Sequence, residues 1–93
     1  MTMLELFKTR LPEGLEIVKV QDRASASQVK IWFSYDGTEG FTTLQKTCAP
    51  GMAEKNCDFS ICVAMLGIAL DRNDREMIIT WRDKQRALCE PLI

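Results

Sequence analysis

The stretch FSICVAMLGIAL, Phe59 to Leu70, decides how this chain is read. It holds no charge and a single hydroxyl, that of Ser60. Spaced at about 100° per residue, Phe59, Cys62, Val63, Leu66, Ala69 and Leu70 form one apolar stripe. Ile61, Met65 and Ile68 form a second, with Ser60, Ala64 and Gly67 between them as a strip of small residues. A helix that is apolar on most sides is usually buried on most sides. The segment therefore reads as a central helix, opening near the cap-type residues Asn56 to Asp58. The rest of the chain has to cover it.

Part of that cover is legible upstream. Val29, Ile31, Phe33 and Tyr35 alternate with Lys30, Trp32 and Ser34, the period of a strand with one apolar face. Residues 36–40 (DGTEG) supply turn types, and Phe41 to Lys46 reads as the returning strand of a hairpin with a five-residue loop. Pairing Tyr35 with Phe41 predicts Phe33 opposite Thr43, Trp32 opposite Leu44 and Lys30 opposite Lys46. Leu15 to Val20 is β-rich and reads as a preceding strand, followed by a polar loop over 21–27. Before it, Thr2 and Glu5 have the capping-box spacing, and Leu4, Phe7 and Leu11 share a face. A short helix over 3–10 follows, stopped by Pro12.

Downstream, Asn73 with Glu76 reads as a cap and its partner for a last helix from Asp74 to Cys89. Met77, Ile78, Trp81, Gln85 and Leu88 lie on one of its faces, and Pro91 ends it. Residues 76–81 also alternate as a strand would; the helix is the preferred reading. The architecture expected is α+β: a short N-terminal helix, a three-stranded antiparallel meander, and two C-terminal helices packed on one sheet face. Val29, Ile31, Phe33, Phe41, Phe59, Val63, Leu66, Leu70, Ile78, Trp81 and Leu88 are its expected core.

The chain has 93 residues, a length that suits one domain and not two. Its composition, 46% hydrophobic and 27% charged, is that of a globular protein rather than a disordered one. The longest apolar run is shorter than a membrane span, and the N-terminus carries Glu5 where a secretion signal would carry a basic leader. Four cysteines then read as reduced thiols in a cytoplasmic protein.

Chemistry narrows the functions further. There is no histidine, which removes Cys–His and Ser–His–Asp catalysis and histidine-bound metals. The five glycines match no phosphate-binding loop. No catalytic residue and no cofactor is expected, and the chain reads as a non-enzyme. Cys48, Cys57, Cys62 and Cys89 could supply a zinc-stabilised module, but their spacing lacks paired knuckles, and no metal ligand is assigned.

Two surfaces read as partner sites. On the outer hairpin face, Trp32 and Leu44 with Lys30 and Lys46 would suit a protein hot spot or a single-strand nucleic-acid platform. A protein partner is favoured, because that face shows no second stacking aromatic and the net charge is −1. The bland alternative is that another element covers Trp32. The second surface is an arginine stripe, Arg72, Arg75, Arg82 and Arg86, which Glu76 and Asp83 partly neutralise; a plain solvated face is the default there. The apolar surplus of the central helix adds a homodimer as a further expectation. The function expected is thus a small interaction or regulatory module acting through protein–protein contact, with nucleic-acid binding as the competing class.

Overall fold

The computed structural model describes residues 2–89, so the expected helix stop at Pro91 lies outside the described residues. Helix α1 (Met3–Thr9) leads to strands β1 (Leu15–Gln21), β2 (Gln28–Tyr35) and β3 (Thr38–Gln45), then helices α2 (Ala53–Asp71) and α3 (Arg75–Cys89). The strands form one antiparallel sheet in the order β1-β2-β3. The α+β architecture expected from the sequence is the one observed.

The Thr2 cap forms as its spacing predicts. Its hydroxyl accepts from the Glu5 N–H, and the Glu5 carboxylate accepts from the Thr2 N–H, both at 3.1 Å. The hydrogen bonds from Thr2 hold the Glu5 carboxyl below its usual pKa. At the other end of α1, Arg10 forks onto Asp58 through two bonds of 2.7 Å, joining α1 to the first turns of α2.

The hairpin corrects the expected register. Asp36 and Gly37 alone form the loop, with φ of 48° and 83°, the left-handed pair that a two-residue type I′ turn requires. Tyr35 pairs with Thr38, Trp32 with Phe41, Lys30 with Thr43 and Val29 with Leu44. Relative to the expected pairing, β3 has slid by three residues. An odd slip turns every side chain of a strand to the opposite face. Phe41, expected in the core, is 57% exposed on the outer face, and Leu44, expected outside, is fully buried.

Helix α2 also shows a different side from the one expected. Cys57, Ser60, Ile61, Cys62, Ala64, Met65, Ile68 and Ala69 are its buried residues. The stripe of Phe59, Val63 and Leu70 faces solvent, Leu70 at 64% exposure, and Leu66 is half-buried. The small residues explain the choice. Ala64 lets the helix axis come close to the sheet, and Gly40 of β3 leaves room for Ile68, whose Cγ1 would lie 3.1 Å from an added Cβ. Gly40→Ala should therefore cost about 1–3 kcal/mol by overpacking, read as a shift of the urea midpoint. A midpoint equal to wild type would mean that Ile68 is free to move.

The α2–α3 junction is built by local chemistry. Asn73 sits at φ 53°, and its N–H and that of Asp74 bond the Leu70 and Ala69 carbonyls at 3.1 Å, which is a Schellman stop. The cap of α3 is Asp74, whose carboxylate accepts from the Met77 N–H at 3.2 Å, not Asn73. Residues 76–81 are helical. Helix α3 packs chiefly on α2, and Met77, Ile78, Trp81, Gln85 and Leu88 are half-buried; of the three expected in the core, Trp81 packs against it, while Ile78 and Leu88 are half-buried outside it. Helix α2 likewise starts before the expected Asn56, because Ala53 and Glu54 are strong helix formers.

Candidate functional site

All buried strand residues point to the helices. Phe7 of α1 stacks on Phe33 at 6.3 Å between ring centroids, while Val29, Ile31 and Leu44 share the core with Met65 and Ile68. The opposite face of the sheet carries Glu16, Lys19, Gln21, Lys30, Trp32, Ser34, Glu39, Phe41 and Thr43, as strand alternation from the observed pairs dictates. Among the described residues no helix packs on it.

At its centre Trp32 and Phe41 are cross-strand partners. Two residues of turn make Tyr35–Thr38 a hydrogen-bonded pair, so Trp32–Phe41 is a non-hydrogen-bonded pair, the closer kind for side chains. The Lys30 ammonium lies 4.9 Å from the Trp32 ring centroid and 4.5 Å from that of Phe41. The Lys19 ammonium lies 4.9 Å from Trp32 on the other flank. These are cation–π distances, and among the described residues neither lysine has a carboxylate within ion-pair reach. Trp32 is half-buried beneath the lysines rather than covered by another element.

Of the four hairpin residues expected to share this face, Lys30 and Trp32 do. Leu44 does not, because the register buries it against Val29. Lys46 does not face Lys30; it pairs with Asp22 at 2.7 Å and donates to the Arg23 carbonyl at 2.6 Å. Phe41 and Lys19 lie on this face although the expected pairing does not place them there. The Asp36-Gly37 dipeptide was the signal for Phe41, since it is a strong marker of a two-residue hairpin. Lys19 reaches this face through a bulge between Ile17 and Lys19, which sequence alternation alone does not reveal.

The arginine stripe divides. Arg72 caps α2 outside α3, bonds Asp36 at 3.3 Å and lies over the Tyr35 ring at 5.7 Å. Arg75, Arg82 and Arg86 are exposed along one side of α3, with Arg82 reaching Asp83 at 4.0 Å. What remains is three solvated arginines next to Glu76 and Asp83.

All four cysteines are free thiols, Cys57 and Cys62 buried and Cys89 exposed. The Cys57 sulfur lies 3.8 Å from the Met3 carbonyl, and Cys48 lies 4.0 Å from the Met3 sulfur. Among the described residues no group of three or more cysteines and carboxylates is arranged to hold a metal ion. Burial pushes both the Cys57 and the Cys62 thiol above the ordinary range, and Asp58 adds to the rise. Unfolding releases these thiols, so folding stability should be fully present below the ordinary thiol pKa of about 8.5 and decline as pH rises above it. Under native conditions alkylation should reach Cys89 first and Cys57 and Cys62 last; mass spectrometry of partly labelled protein checks this, and early labelling of Cys62 would contradict its burial.

Among the described residues no helix is long and apolar enough to cross a membrane. Comparison with known proteins finds no family model, no curated protein and no solved structure that matches the chain.

Proposed function

We propose that this chain is a non-catalytic interaction module that binds a protein partner through the helix-free face of its sheet. The observation that carries the reading is the Trp32–Phe41 pair, held across β2 and β3 with Lys30 over both rings. Aromatic residues on a rigid strand surface lose little conformational freedom on contact and are the usual anchors of protein interfaces. Glu16 and Glu39 lie on the same face as Lys19 and Lys30, and the chain's net charge is −1. Mixed charge of this kind suits a protein surface better than a run of phosphates. Four free thiols fit a reducing compartment such as the cytoplasm. The solvated arginines of α3 are at most a second, weaker contact.

The test is quantitative capture from a lysate with wild type and with the Trp32→Ala/Phe41→Ala variant, each shown folded by circular dichroism. The expected result is a defined partner retained by wild type and lost by at least roughly tenfold with the variant. Equal recovery by both baits would remove the sheet face from the account.

A single-stranded nucleic acid is the second reading, favoured by one observation: Phe41 supplies the second stacking aromatic beside Trp32, with lysines at hand for phosphates. It requires binding of a labelled oligothymidine at low salt that weakens steeply as salt rises and disappears in the same double variant. No change in anisotropy at low salt ends it.

A further inference from the structure

We infer that the free edge of β3, together with the exposed stripe of α2, is a self-association surface that pairs β3 with β3 of a second copy and extends the sheet to six strands. This surface shares Phe41 with the open sheet face but uses neither Trp32 nor the lysines, and it does not depend on the function proposed for that face.

The two edges of the sheet are built differently. Strand β1 is guarded in the ways natural edges usually are: a bulge between Ile17 and Lys19 breaks its ladder, and Glu16 and Lys19 lie along it. Strand β3 from Gly40 to Gln45 has no charge, no proline and no bulge. The hairpin register places the outward N–H and C=O groups of this edge on Glu39, Phe41, Thr43 and Gln45, with Glu39 its one charge, at the turn end. Among the described residues one side chain bonds it, Ser60, whose hydroxyl donates to the Thr43 carbonyl at 2.9 Å.

Beside the edge runs a groove of about 540 Å³ between β3 and α2, walled by Phe41, Thr43, Phe59, Val63 and Gly67 among others. Its lining residues include no charged side chain, in a chain that is 27% charged. Phe59 and Val63 are more than a third exposed there, one turn apart. Helix α2 is apolar on nearly all sides, yet sheet, α1 and α3 cover only one arc of it.

The absence of charge selects the occupant. In a two-fold interface each side chain near the axis meets its own copy, so any charge there meets a like charge. An edge uncharged from Gly40 to Gln45, beside a groove lined by no charge, is compatible with itself. An antiparallel pairing about an axis near Thr43 sets Thr43 against its own copy and Phe41 against Gln45 of the second copy. It also brings the two exposed stripes of α2 toward each other, and Gly67 leaves room for close approach.

Sedimentation equilibrium on the full chain tests the inference. Wild type should show a concentration-dependent monomer–dimer equilibrium. Val63→Glu and Val63→Lys should each be folded and dimerise at least roughly tenfold more weakly, and an equimolar mixture of the two should recover a dimer. Trp32→Ala should dimerise like wild type, which separates this surface from the open sheet face. A wild type that stays monomeric at every accessible concentration would overturn the inference. So would Val63 variants that dimerise like wild type, or a mixture that recovers nothing.

Discussion

Phe33→Ala should lower the free energy of unfolding by about 3–5 kcal/mol, the usual cost of emptying a large buried aromatic site. Phe33 has no exposed surface, pairs with Ile17 on one side and Gly40 on the other, and stacks on Phe7. Two consequences combine. Phe33 shares its core cluster with Met65 and Ile68 of α2, which cannot fill the vacated volume without moving the helix. The Phe7 ring also loses its partner, and with it part of what docks the short helix α1. Domains of this size are typically stable by 5–15 kcal/mol, so the variant should be close to its unfolding midpoint in little denaturant. Urea titration followed by circular dichroism reads the change, and a loss of less than about 1 kcal/mol would contradict the position of Phe33 at the centre of the core.

The second large effect separates the two sides of α2. Ile68→Ala should cost about 2–5 kcal/mol, through lost burial and the cavity left against Gly40. Leu70→Ala, two residues on, should change stability by no more than about 0.5 kcal/mol, because Leu70 is largely in solvent. Both are measured at dilution, where the single chain is the reference state. The hydrophobic pattern of the sequence points the other way, with Leu70 on the expected core stripe. Leu66 belongs to that stripe too; half-buried, it should cost less than the full 2–5 kcal/mol of a core leucine. Equal costs at 68 and 70 would rotate the helix back toward the sequence-based orientation.

What the sequence makes legible follows the strength of its periodic signals. The alternation from Val29 to Tyr35 and the capping box at Thr2 are local, and both form where expected. The apolar run of α2 announces a helix but not its orientation, since an almost all-apolar helix has no preferred face. Packing decides instead. Ala64, Ser60 and Gly40 permit close approach on one side, and that information lies in two elements at once.

The site was half legible for a related reason. A two-residue turn in place of a five-residue one moves every β3 side chain across the sheet, so loop length alone decides whether Leu44 or Phe41 faces outward. Trp32 and Lys30 face outward in either register because their own strand fixes their face. Lys46 could not be placed from β3 alone, because its partner Asp22 is in the β1–β2 loop. The arginines of α3 were legible as an exposed row, whereas Arg72 falls past the end of α2, where helical spacing no longer applies.

The hairpin register determines which aromatic residues share the open face and which backbone groups line the β3 edge. A nuclear Overhauser spectrum reads it directly: a strong contact between the α-protons of Trp32 and Phe41 is the expected result. A corresponding contact between Trp32 and Leu44, with Phe41 opposite Tyr35, would contradict the register and both surfaces derived from it.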